Sequence, residues 1–266
     1  MGLFTPNYSK PGPGIEKDAP EKNRFFLFFE LFFTKISNLI TINFVYMLTM
    51  LPLILGVALS VDFKSSPFKF TGDIVGMALI IVSVFTSFPM TAGFTFVLRN
   101  MQRREHAWIV RDMFKHAKLN YKKAAVNGAV QIVAYFLFYT AFITYRFSFK
   151  GYMGLSLSML ILVITLIFIW MQYYVNIMIV TFDLTLRQIY KNALLFAIAK
   201  LPMNLLVTII CTALLIGMSI YPVIGALLAM IISFSLLGFI TVFCVYPAID
   251  KTMISAQKDN ENGENV

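Results

Sequence analysis

Charged residues are scarce in this sequence, and no Lys, Arg, Asp or Glu falls in the middle of its longest apolar stretches. They make up 13% of the chain, against about a quarter in ordinary soluble domains, while hydrophobic residues reach 59%. Proton- and ion-driven carriers keep a titratable group in the membrane to carry the coupled charge, so this absence counts against them. Cysteine is limited to Cys211 and Cys244, both inside apolar stretches, which excludes a disulfide framework or a cysteine metal site. His106 and His116 are the only histidines and lack the further ligands that a metal site uses. No Gly-x-Ser-x-Gly, phosphate-cradling Gly-rich loop or intramembrane acid–base pair occurs, so no catalytic residue and no cofactor is expected.

What the sequence does contain is six apolar stretches, each about the 20 residues needed to cross about 30 Å of hydrocarbon. They run roughly from Leu39 to Val61, Ile74 to Leu98, Ala124 to Tyr145, Leu155 to Thr181, Leu201 to Tyr221 and Val223 to Tyr246. The last two nearly touch around Pro222, which predicts a tight helical hairpin. Of the 22 Lys and Arg residues, 18 fall in alternate gaps between the stretches. Basic residues favour the cytoplasmic side, so both termini are expected there in a multi-pass protein of a bacterial cell membrane. The net charge of +9 then reflects topology and anionic lipid rather than nucleic acid.

The expected architecture is an all-α membrane protein with six transmembrane helices. A Pro- and Gly-rich cytoplasmic segment covers residues 1–24, the six-span domain 25–249 and a polar tail 250–266. The first segment has no apolar h-region and reads as uncleaved. From Phe25 to Thr41 the polar residues Glu30, Thr34, Ser37, Asn38 and Thr41 share one helical face, and phenylalanines fill the others. This spacing predicts an amphipathic helix lying in the interface and running into span one, capped by Asp18, Pro20 and Glu21. It serves either as an anchor or as a docking face for a partner helix.

Between spans two and three, residues 99–123 hold eight Lys or Arg against Glu105 and Asp112. Val110, Met113, Phe114, Ala117 and Tyr121 recur with helical spacing, which predicts a second cytoplasmic amphipathic helix, one that lipid alone can hold at the inner surface. The alternative is a partner-docking element with Arg103, Arg104, Trp108, Asp112 and Phe114 as contacts. Inside the spans the polar candidates are amides: Asn43, Asn127, Gln131, Gln172, Asn176 and Asn204. The pairs 127/131 and 172/176 are spaced i, i+4 and share helix faces. Rise per residue puts Gln131 about 10 Å deep from the cytoplasmic face and Gln172 about 25 Å along its span, so the amides form an inner-leaflet layer. That layer is either interhelical glue or a polar cavity open to the cytoplasm.

The opening MGLFTPNYSKPGPGIEKDAP, with the Phe-rich run after it, closely resembles the start of the YesL-like family of bacterial integral membrane proteins. Phe88-Pro89, Thr91-Ala92-Gly93 and the loop LRNMQRREHAWIVRDMFKHAKLNYKKA resemble that family's entry into its main cytoplasmic loop. The resemblance covers most of the chain and implies no catalytic or ligand residues. Because members neighbour carbohydrate-uptake ABC transporters, it implies a non-enzymatic accessory role with transporter permease subunits as partners, besides the lipid bilayer. A self-sufficient small-molecule carrier and an ABC-permease-like subunit are the alternatives, and the loop from Asp183 to Lys200 lacks the permease coupling pattern. The stretches DMFKHAKLNYKKAAVNGAV and LRQIYKNALLFAIAKLPMNLL also resemble each other, each running from a basic segment into a span.

Overall fold

The computed structural model of the protein describes residues 23–62, 64–65, 69–149 and 151–254. The expected cap at Asp18, Pro20 and Glu21 lies outside them, as do residues 1–22 and the tail from residue 255. Two compact units are present, divided after Thr34. The described part of the first is α1, Arg24–Thr34. Residues four apart lie over one another on a helix, so Phe28 stacks on Phe32 and Phe29 on Phe33, with ring centroids 6.2 and 6.3 Å apart. Phe25, Phe26 and Phe33 are exposed. The helix expected to continue unbroken to Thr41 is interrupted at Lys35.

The second unit is a membrane bundle. After α2 (Ile36–Ser60) come the strands β1 (Val61–Asp62) and β2 (Lys69–Phe70), paired antiparallel, and then α3 (Ile74–Gln102). The order continues with α4 (Ile109–Leu119), α5 (Tyr121–Ser148), α6 (Gly151–Thr181), α7 (Leu186–Ala199), α8 (Leu201–Ile220) and α9 (Pro222–Ile254). Six of these, α2, α3, α5, α6, α8 and α9, are long and apolar enough to cross a membrane, so the chain is a multi-pass membrane protein. The hairpin expected at Pro222 forms, with α8 ending at Ile220 and proline opening α9, where its missing N–H costs nothing. Helix α9 runs into the stretch assigned to the polar tail and contains π turns at Ala229–Ser233 and Asp250–Ile254.

Helices α4 and α7 enter the following spans through the same joint. Asn120 and Lys200 adopt φ/ψ of −101/13° and −110/31° just before α5 and α8. At Asn120 and Lys200 the residue's own N–H still reaches back four residues, and its carbonyl accepts from four residues ahead. The chain thus turns without losing backbone hydrogen bonds, which an apolar surrounding would penalise. The resemblance noted between the stretches leading into spans three and five has this common geometry: α4 with α5, and α7 with α8.

Helix α3 is central and packs against α2, α4, α5, α6 and α9. Its buried large side chains lie in its second half, around Phe94, Val97, Leu98 and Met101. They meet the second half of α6 and the end of α9, including Tyr174, Ile177, Phe239 and Phe243, all near the end that carries α4 and α7. Toward the β-hairpin, buried positions are mostly Gly and Ser: Gly56, Ser60, Gly76, Ser83, Gly154 and Ser158. A Cβ on Gly56 would come within 2.9 Å of the Gly76 carbonyl, so α2 and α3 meet backbone to backbone there.

Candidate functional site

The six amides divide by role. Asn43 on α2 donates through Nδ2 to the Ala229 and Met230 carbonyls, at 3.0 and 2.8 Å, and its Oδ1 accepts the Ser235 N–H at 3.0 Å. A π turn displaces its carbonyls from the regular ladder, and this fully buried amide holds the π turn of α9 in place. Asn204, at the start of α8, donates to Ala197 O at 2.9 Å, one of the last-turn carbonyls that α7 cannot satisfy itself. Its Oδ1 accepts from the Tyr174 hydroxyl at 2.8 Å. Nearby, Trp170 Nε1 donates to the Thr208 hydroxyl at 2.9 Å, so a polar clamp ties α6 to α8. Both amides act as glue.

The remaining four form a ladder between α5 and α6. Asn127 Nδ2 donates to Asn176 Oδ1 and Gln131 Nε2 to Gln172 Oε1, each at 3.2 Å. Four-residue spacing on both helices stacks these two rungs. The Tyr190 hydroxyl of α7 donates to Asn127 Oδ1 and ties α7 to the ladder. Burial pushes the Tyr190 pKa up, offset in part by the neighbouring Gln172 amide. Gln172 Nε2 is buried without an acceptor in bonding geometry. Gln172 also lines a cavity of about 190 Å³ with Tyr46, Thr91, Asn176 and Thr241, among others.

The basic segment is more firmly built than a lipid-held helix. Met113 and Ala117 are buried, and α4 packs on α3 and α2. Its backbone lies so close to α3 that a Cβ on Gly93 would collide with the Met113 carbonyl. Val110, Phe114 and Tyr121, expected on the same stripe, are exposed, as is Trp108. The stripe is thus split between a protein-facing and an outward-facing part. Asp112 accepts the Trp108 N–H at 2.8 Å and closes the first turn of α4, so its carboxylate is engaged in capping. Arg103 pairs with Glu105 at 2.8 Å, and its guanidinium lies 5.9 Å from the Tyr246 ring centre. Arg104 sits at φ 58° where α3 ends, a left-handed position usually given to glycine.

Arg99 was counted in sequence as one cation among eight, yet it is 7% exposed. It donates to Val180 O at 2.8 Å and to the Thr181 hydroxyl at 3.0 Å, placing its charge against the C-terminus of α6, where the helix dipole favours a cation. His116 stacks on Phe96 with ring centres 3.3 Å apart. Its pKa is lowered first by burial, then by Lys115, with Asp112 opposing and Arg99 adding to the effect.

A larger cavity, about 900 Å³, lies between α2, α3 and α5. It extends from Val61, Lys69 and Phe70 of the hairpin to Thr91, Gln131 and Asn176, and Tyr46, Tyr135, Phe136 and Tyr139 form much of its wall. Of the two readings of the amide layer, interhelical glue or a polar cavity open to the cytoplasm, the second requires a polar opening on the basic side. The large cavity approaches the amides from the hairpin side and is mainly aromatic and aliphatic, and the cavity at the basic end, about 640 Å³ and lined by residues 118–123 and 179–183, does not reach the six amides.

No family model, curated protein or solved structure matches this chain. Its candidate sites therefore rest on geometry. Sequence reasoning missed Tyr190, Tyr174, Arg99 and the aromatic wall. One signal was present: Gln131, Tyr135 and Tyr139 recur every four residues and mark one face of α5.

Proposed function

We propose that this chain is a non-enzymatic accessory protein of a bacterial cell membrane, with both termini cytoplasmic, that binds permease subunits of a carbohydrate ABC transporter through the α4 face. The rigid seating of α4 at Gly93 is the observation that carries the docking role. It holds Trp108, 66% exposed, and Phe114, 50% exposed, outward among Arg111, Lys115 and Lys118. A preorganised aromatic pair spends little entropy on binding and suits the centre of an interface. The carbohydrate connection comes from the YesL-like resemblance of the N-terminal and loop sequences, and the orientation from the distribution of Lys and Arg.

Affinity purification of the full chain from native membranes in mild detergent, with mass spectrometry, tests this reading. ABC permease subunits should copurify stoichiometrically and fall several-fold with the pair Trp108→Ala and Phe114→Ala, which leaves Gly93, Met113 and Asp112 intact. Recovery of the chain without permease subunits would sink it. A carrier role is the second reading, favoured by the amide ladder at the end of the large cavity. It requires reconstituted uptake that Gln172→Leu abolishes while the protein stays folded.

A further inference from the structure

The cavity between α2 and α5 is a groove on the central helix. Helix α3 is flanked by α2, α9, α6 and α5, while α2 and α5 do not pack extensively on each other. The space between them leaves Ile80, Phe88 and Thr91 of α3 as a floor. Its volume of about 900 Å³ lies within the range of small-molecule sites, roughly 300–1,000 Å³, and is too small for a transmembrane helix about 10 Å wide and 30 Å long. From Gln131 to Thr144 on α5, the rise of a helix gives a length of about 20 Å. That is somewhat more than the roughly 15 Å of one leaflet's hydrocarbon.

Chemistry along the groove is graded. Along its length it is lined by Met50, Leu53, Val57, Ile132, Phe136 and Ile143, which offer dispersion and no ionic contacts. At the hairpin end Lys69 reaches the rim, and Phe70 meets Phe136 edge to face at 5.7 Å, drawing the hairpin over α5. At the far end Gln131 and Asn176 are bonded sideways to Gln172 and Asn127, so these amides do not demand a polar ligand. Gln172, whose Nε2 is buried without a hydrogen-bond partner, lines the narrower cavity and not the groove.

From this gradient we infer that the groove is a binding site for an anionic phospholipid, with acyl chain along α2 and α5 and phosphate at Lys69. A hydrocarbon chain matches the groove's length and apolar wall, and the cation at the rim selects a negative headgroup over a zwitterionic one. This inference is independent of partner docking at α4, which lies at the opposite end of the spans.

The test uses the full chain purified in detergent, stripped of loosely held lipid, and offered phosphatidylglycerol or phosphatidylcholine with identical palmitoyl and oleoyl chains. Native mass spectrometry should find one phosphatidylglycerol retained in preference to phosphatidylcholine. Filling the groove with Val57→Phe and Thr140→Phe should lower retention about tenfold, which corresponds to about 1.4 kcal/mol. Lys69→Glu should keep a lipid bound and abolish the headgroup preference. Ile209→Phe with Ile216→Phe, on exposed α8 positions, should change neither. Equal retention of the two lipids by the unmodified chain, or full retention by a folded groove-filled variant, would overturn the assignment. Should the filled variant misfold, a phosphatidylglycerol carrying a diazirine on its chain is photolysed with the unmodified protein. Labels concentrated on residues 50–57 and 132–143 support the groove, and labels spread evenly over the lipid-facing helices refute it.

Discussion

The two ends of the bundle are held together by different physics. Near α4 and α7, large side chains such as Leu98, Met101, Tyr174 and Phe239 are fully or almost fully buried, and Asn43, Asn204 and Arg99 satisfy helix carbonyls that the backbone leaves open. Toward the β-hairpin the buried residues are chiefly Gly and Ser, and between α2 and α5 the helices part to leave a cavity. Lipid tails are as apolar as leucine, so burial by itself gives membrane helices little drive to associate. The packed end gains dispersion and hydrogen bonds, while the hairpin end relies on close backbone approach.

The comparison breaks most clearly at Gly93. Gly93→Val drives a side chain into the Met113 carbonyl and should cost about 3 kcal/mol. Hydrogen exchange across residues 109–119 should rise sharply, and an unchanged exchange pattern would show that α4 does not depend on this contact. Asn43→Leu comes next. It leaves the Ala229 and Met230 carbonyls and the Ser235 N–H without their partner, at a cost of about 2 kcal/mol in detergent unfolding.

A smaller effect is expected from pH at the same end. The folded-state pKa of His116 is depressed, so its contribution is intact above the unfolded value of about 6.5 and is lost as pH falls through that range. The thermal midpoint should drop as pH falls below about 6.5, and His116→Gln should flatten that part of the profile. The smallest effect belongs to the exposed hydrophobic surface. Ile209→Ala and Ile216→Ala should each change stability by less than about 0.5 kcal/mol. A loss there as large as that of Asn43→Leu would mean that a second protein surface covers α8.

The spans were legible because twenty consecutive apolar residues have few other places to go, and the tight turn at Pro222 because proline cannot continue the preceding helix. In the sequence Asp183 to Lys200 reads as a loop with a basic stretch leading into a span, and the signal for α7 within it is the capping box of Thr185 and Gln188. The two-residue strands were invisible, since so short a ladder has no periodicity to detect. The amides were found as a layer, but their division into helix caps and ladder was not. That division depends on which carbonyls a distant segment brings near.

By itself the sequence determined that this chain is helical, that it crosses a membrane in six segments and that its amides sit toward the end bearing α4 and α7. These follow from local apolar length, helical rise and residue spacing. Only the tertiary structure decided that Asn43 supports a π turn 186 residues away, that Gly93 seats α4 and that α2 and α5 part to form a groove. Each depends on which helix faces meet across the bundle, and hydrophobic patterning leaves that choice open because every lipid-compatible face is apolar.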